Sequence, residues 1–225
     1  MASIIAAGEG SQPLRRRRTD NVLRRVCANC NSGWMSQLEG GVRPLLKPLI
    51  AGETIRVSAP ERELLLRSAL KTAAVLGPVQ RAPDAVSLAL RRRLAEGSDL
   101  GQDVALWAVP LAPDERDADD WRFGLDVDDS PEAPAFNISG IPLGGIAFEV
   151  VNLNHPEKLP FERLPRLIPS LYQRVAPPAL GPALLPSPTT AASTAAAAGV
   201  PFRMRLGHAI HLALKAGMKP ALPMR

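Results

Sequence analysis

The chain has 225 residues, 46% of them hydrophobic but only 4% aromatic, with 23 Pro and 17 Gly, which suits one core of Leu, Val and Ala, interrupted often. A net charge of +5 suggests a polyanionic partner, yet residues 1–162 hold all 22 Asp and Glu against 19 of the 27 Lys and Arg, so the basic excess belongs to the tail. Two cysteines exclude a disulfide framework, the first residues lack the basic region of a signal peptide, and no apolar run approaches the roughly 18 residues of a membrane span, which points to a reducing, cytoplasmic setting.

Residues 1–19, rich in Gly, Ser, Gln and Pro, read as a disordered basic arm ending in the run Arg15, Arg16, Arg17 and Arg18. Residues 20–100 read as a knuckle followed by helices. After Cys27-Ala-Asn-Cys30, apolar residues recur at Trp34, Leu38, Val42, Leu45, Leu46 and Leu49, in steps that place them on one helical face. Gly40, Gly41 and Pro44 are expected to bend or split that helix. Ser58-Ala-Pro-Glu61 has the form of a capping box. It opens a helix with a stripe of Leu65, Leu66, Ala69, Leu70 and Ala73, stopped at Gly77-Pro78. A shorter helix is expected from Pro83-Asp84 through Arg91–Arg93 to Gly97.

Residues 101–175 change character. Asp103 to Val109 and Trp121 to Val127 read as strands, and Ala135 to Ile141 with Ile146 to Leu153 as a hairpin around Pro142-Leu-Gly-Gly145. A Pro-punctuated helical piece from Phe161 to Val175 follows. Residues 176–225 read as a disordered, low-complexity tail rich in Ala, Pro, Ser and Thr. The expected fold class is α+β: a helical N-terminal half with a zinc knuckle, a small antiparallel sheet, then the tail.

The chemistry concentrates at Cys27 and Cys30. A Cys-x-x-Cys pair presents two thiolates to one tetrahedral ion, and zinc is the expected cofactor. Residues after the second cysteine must turn so that backbone N–H groups point at sulfur; Asn31 and Gly33 are suited to left-handed conformations there, and Trp34 is an apolar anchor. A redox pair of the thioredoxin kind would need a βαβ context that is absent from the pattern, and two unmetallated thiols are the plain alternative. Zinc takes four ligands. The histidines that remain are His155, beside Pro156, and the pair His208 and His211, whose spacing puts both on one helical face and would allow a Cys2His2 site, but which lies beyond a low-complexity linker, Ala176 to Val200, and reads as solvent-facing.

Val26-Cys-Ala-Asn-Cys-Asn-Ser-Gly-Trp-Met35, followed by Leu38-Glu39, Pro44-Leu-Leu-Lys-Pro-Leu-Ile50 and Lys71-Thr72-Ala73, resembles a bacterial HNH-endonuclease-like family over about residues 20–150. The resemblance implies a ββα-metal unit, an upstream Cys-x-x-Cys completing a structural zinc, and between the pairs a histidine acting as general base on a phosphodiester. This sequence matches the second half alone: neither Cys nor His precedes Cys27. No catalytic residue is therefore assigned, and cleavage by this chain is not expected. The missing half is expected upstream of Met1, through a misplaced start or a truncated gene, or on a second chain that shares the zinc in a homodimer.

Arg15–Arg18 with Arg24 and Arg25 place six guanidinium groups around the knuckle. They read either as DNA-phosphate contacts, giving salt-dependent, sequence-independent binding, or as a solvated arm. A non-catalytic module for protein interaction or dimerisation is the competing reading. Asp114 to Asp129 lacks EF-hand spacing and reads as a solvated loop. Lys71 reads as an edge lysine with a packed stem rather than a phosphate ligand. Phe202 to Lys219 has periodicity too weak for a membrane-surface helix.

Overall fold

The computed structural model describes residues 26–76, 86–101, 103–111, 121–125, 136–153, 173–176 and 183–185. A short turn α1 (Ala28–Cys30) and a wider turn over Asn31–Met35 lead into α2 (Ser36–Ile50). Strand β1 (Ile55–Val57), α3 (Ala59–Leu76) and α4 (Leu88–Ala95) follow. The strands β2 (Val104–Pro110), β3 (Trp121–Leu125), β4 (Phe136–Leu143), β5 (Ile146–Leu153), β6 (Gln173–Ala176) and β7 (Ala183–Leu185) complete an α+β fold. One antiparallel sheet has the order β3-β4-β5-β2-β6, and β1 pairs with β7 in a second, two-stranded sheet.

Helix α2 is continuous although Pro44 and Pro48 lie inside it, which corrects the expected split. Each proline removes a ladder hydrogen bond and crowds the preceding turn. Against that cost, Val42, Leu45 and Leu49 are buried from the same helix, at roughly 1.5–3 kcal/mol each. Both Gly40 and Pro44, whose carbonyls lose their partners, are on the exposed side. Tertiary packing therefore overrides local propensity.

Its C-terminus closes with Gly52 at φ 85°. Glu53 N–H donates to the Pro48 carbonyl at 2.9 Å and Gly52 N–H to the Leu49 carbonyl at 3.0 Å, the paired bonds of a Schellman motif. Helix α4 ends in the same way: Ser98 N–H reaches the Arg93 carbonyl at 2.9 Å and Gly97, at φ 71°, reaches Leu94. It is capped at its start by Ser87, whose side chain accepts from Leu90 N–H, so it begins later than Pro83-Asp84. The capping box of α3 forms as expected. Ser58 donates its N–H and its hydroxyl to Glu61 Oε2, at 2.6 and 2.7 Å, and Glu61 N–H returns to Ser58 Oγ at 3.5 Å.

The hairpin also forms as expected, with Leu143 opposite Ile146 across Gly144-Gly145. Its tip does more than reverse the chain. Gly145 N–H donates to the Ile50 carbonyl at 2.8 Å, and the Gly145 carbonyl accepts from Leu111 N–H at 3.0 Å. A Cβ on Gly145 would sit 2.5 Å from Gly52 Cα, and one on Gly144 (φ 58°) 2.5 Å from the Ile50 oxygen. Only glycine allows this approach.

Two C-terminal expectations change. Gln173–Ala176 is a strand rather than the end of a helical piece, because it finds backbone partners along β2, opposite Ala108, Trp107 and Leu106. Within the expected tail, Ala183–Leu185 pairs with β1, and Leu185 is fully buried. The apolar triplet Ala-Leu-Leu gains a ladder and a place in the core that its low-complexity setting conceals. The other residues of the basic arm, of the 161–172 stretch and of the tail lie outside those described.

One core unites the elements. Val42, Leu45 and Leu49 from α2, Leu65, Leu66, Leu70 and Ala73 from α3, and Leu90 and Leu94 from α4 meet Val104, Leu106, Phe148 and Val150 of the sheet. Strand β2 is buried along both faces from Val104 to Val109, which explains its unbroken apolar sequence. The stretches 20–100 and 101–175 thus share a single hydrophobic cluster. Among the described residues, no helix is long and apolar enough to cross a membrane.

Two stability tests follow from this packing. Gly145→Ala should cost about 1–3 kcal/mol through the clash with Gly52, whereas Gly40→Ala, with nothing within 4 Å of the new Cβ, should gain about 0.5–1 kcal/mol. Urea denaturation reads both, and a wild-type midpoint for Gly145→Ala would refute the docking argument. The second concerns pH. The Glu61 carboxyl is held below its ordinary value by the Ser58 backbone N–H first and the hydroxyl second. A depressed folded-state pKa means that this contribution is present above the unfolded value and is lost as pH falls through the folded one. Glu61→Ala should therefore destabilise by about 0.5–2 kcal/mol at pH 7, and by progressively less in acid. A loss independent of pH would count against the box.

Candidate metal-binding knuckle

Cys27 lies at φ −65° and ψ 149°, an extended residue that caps the turn α1. Its sulfur accepts the Cys30 backbone N–H at 3.2 Å, while Asn31 N–H donates to the Cys27 carbonyl at 3.0 Å. Cys27 occupies the place that Asp or Ser takes at a helix start, with a thiol as the acceptor. A backbone N–H aimed at sulfur favours the thiolate. Ser32 adds a hydroxyl bond to the Ala28 carbonyl at 2.7 Å.

The turn after Cys30 differs from the expected one. Asn31 is right-handed at φ −67°, and Gly33 has φ −91° and ψ −117°, so neither residue is left-handed. The phase of the helix breaks at Gly33 instead, and this separates the cysteine turn from α2. Trp34 packs partly buried against the core, as its expected anchoring role requires.

The two thiols are unequal. Cys27 is exposed and Cys30 half-buried, and both are free. The Cys27 thiol is lowered from its ordinary value, first by the hydrogen bond from the Cys30 side chain and then by the Cys30 backbone N–H. Cys30 is raised, first because it is the donor in that bond, then by burial and by the negative charge on Cys27. The Trp34 indole N–H, buried and without a partner of ordinary hydrogen-bond geometry among the described residues, lies beside Cys30 and offsets part of the rise.

Two thiols are two of zinc's four ligands. Among the described residues no cluster of three or more His, Cys, Asp or Glu is suited to a metal. The histidines His155, His208 and His211 lie outside those residues, and so do Arg15, Arg16, Arg17, Arg18, Arg24 and Arg25 and every acidic residue of the stretch from Asp114 to Asp129. The structure thus brings Cys27 and Cys30 together and leaves the arginine cluster undescribed.

Lys71 is committed elsewhere. Its Nζ meets Glu39 Oε1 at 2.5 Å, with the lysine side chain only 13% exposed, and this pair ties the first turn of α2 to α3. Arg93 is paired with Asp103 at 2.6 Å, and Arg67 with Glu63 at 2.7 Å. By contrast, Arg43 and Lys47 point from exposed positions on α2 without a described partner. Sequence reasoning passed over this pair, although two cations at i, i+4 spacing, each directly after an apolar residue of the buried face (Val42 and Leu46), were there to be read. No family model matches the chain, and neither a curated protein nor a solved structure matches it.

The inequality of the thiols sets an order of reaction. With iodoacetamide in metal-free buffer, Cys27 should be alkylated before Cys30, and its rate should fall off at lower pH than that of Cys30. Cys30→Ala removes the donor side chain, so the Cys27 rate profile should move to higher pH. Peptide mass spectrometry measures both. Equal rates at the two sites would overturn the assignment.

Proposed function

We propose that this chain is an HNH-endonuclease-like protein that keeps the second half of a zinc knuckle and binds nucleic acid without cleaving it alone. The observation that carries the reading is the Cys30 N–H directed at the exposed Cys27 sulfur, at the start of the helical run that leads into α2. That arrangement suits a pair of thiolates held for one ion. Arg24 and Arg25 immediately precede it in sequence, and Arg15–Arg18 lie within a dozen residues. Six guanidinium groups would contribute affinity through counterion release rather than base readout. A bound zinc would fix the turn and present the arm; no cleavage step is assigned to the residues of this chain.

A second reading is favoured by the exposure of Cys27 and by a donor set of two. Two knuckles facing each other would supply four thiolates to a single zinc, making the site an isologous homodimer contact.

The two readings separate by stoichiometry. The proposed nucleic-acid reading expects duplex binding that weakens steeply with salt and falls about tenfold or more when the six arginines become serine. Cleavage should be absent throughout. The shared-zinc reading expects half a zinc per chain and a dimer, seen by sedimentation, that Cys27→Ser abolishes. Salt-independent binding or unchanged affinity in the arginine variant sinks the first, and a metal-free monomer in the presence of zinc sinks the second.

A further inference from the structure

A groove of about 560 Å³ runs along α2, between it, α3 and the β4–β5 hairpin. Its volume is within the range of small-molecule sites. The floor is apolar: Val42, Leu65, Ala69, Ile141 and Phe148 are buried there, and Leu46 and Leu143 are half-buried. At one end Ile50 keeps 44% of its surface exposed, an unusual position for a large aliphatic residue in this fold. The rim is basic. Arg43 and Lys47, one turn apart on α2, flank the mouth without described partners, while Lys71 and Glu39 neutralise each other at the far end.

We propose that this groove binds a single-chain anionic amphiphile, a fatty carboxylate, with the alkyl chain on the apolar floor and the headgroup between Arg43 and Lys47. The argument is charge complementarity joined to shape. Two unneutralised cations beside a concave apolar floor match one anion attached to one chain. A planar carboxylate suits the guanidinium fork of Arg43. The headgroup would lie along the last two turns of α2, where the helix end carries partial negative charge, so a dianionic phosphate is less well matched there than a monoanion. The groove has no aromatic rim for a flat ligand. This inference does not depend on the knuckle or on nucleic-acid binding.

The test uses the full chain and dodecanoate below its micellar concentration, followed by calorimetry and amide chemical shifts. Dodecanoate should bind one to one and shift the amides of residues 42–50, 65–72 and 141–148. Dodecanol should bind about fivefold more weakly, as the loss of two exposed charge contacts implies. The double variant Arg43→Glu, Lys47→Glu alters exposed positions and should fold normally by circular dichroism. In it, the preference for dodecanoate over dodecanol should disappear. Thr72→Phe, which fills the groove from α3, should weaken both ligands together. The proposal is overturned by equal binding of acid and alcohol to the native chain, by a preference that survives the double variant, or by dodecyl phosphate binding tenfold tighter than dodecanoate. Failure of dodecanoate to bind overturns it too, as does self-association of the chain that the double variant abolishes, which would assign the groove to a second copy.

Discussion

The carbonyl of Ile50 would be an orphan at the end of a helix if Gly145 did not donate to it. That bond, at 2.8 Å, joins the end of α2 to the tip of the β4–β5 hairpin and fixes the helix end where the shared core seats the helical half on the sheet. The contact needs three glycines. Gly52 turns left-handed to close the helix, Gly144 turns left-handed to close the hairpin, and Gly145 lets the two backbones touch. With the tip seated, the Gly145 carbonyl accepts from Leu111 N–H just past β2, so the same turn also ties the end of β2 to the hairpin. The apolar interior then fills the angle between helix and sheet, with Leu49 and Phe148 among its fully enclosed side chains.

Local chemistry in the sequence anticipates the parts of the fold that are locally determined. The capping box at Ser58–Glu61 and the Gly-Gly hairpin are of this kind, because backbone groups close to one another in the chain satisfy each other. The same holds for the buried stripe of α3. The departures in α2 and in the last two strands are places where a distant partner decides. Pro44 and Pro48 argue for a broken helix until Val42, Leu45 and Leu49 are seen to hold it in the core. Gln173–Ala176 and Ala183–Leu185 are too short and too poorly patterned to be strands on their own, and each exists through the strand it joins. Pairing partners 65 and more residues away leave no periodic trace in a single sequence.

The candidate site divides along the same line. The spacing of Cys27 and Cys30 is local, and so is the bond from the Cys30 N–H to the Cys27 sulfur that the spacing permits. How the turn is made was not legible. Asn31 and Gly33 suggest left-handed backbone, but the chain instead stays right-handed through Asn31 and breaks its phase at Gly33, where α2 has to be redirected so that Trp34 reaches the core. The unequal titration of the thiols also depends on burial, which composition does not reveal. Arg43 and Lys47 escaped notice because two exposed cations on a helix usually mean a solvated face. Only the groove beside them makes their lack of partners informative.

These two features lie at opposite ends of one helix and differ in what they require of the fold. None of the residues of α1 or of the Asn31–Met35 turn is fully buried. The core that holds α2 begins at Val42, two turns further on, and owes nothing to the cysteines. In small zinc-dependent modules the ion replaces a core that the chain is too short to form. Here the core is built from residues other than the two cysteines, so metal at the knuckle would fix the turn rather than fold a domain. Its binding energy would then be available to fix the direction of the turn and of the arginines that precede it. On the proposed reading, an ion with no structural duty toward the core would serve an interaction at the surface, whether with a phosphate backbone or with a second knuckle.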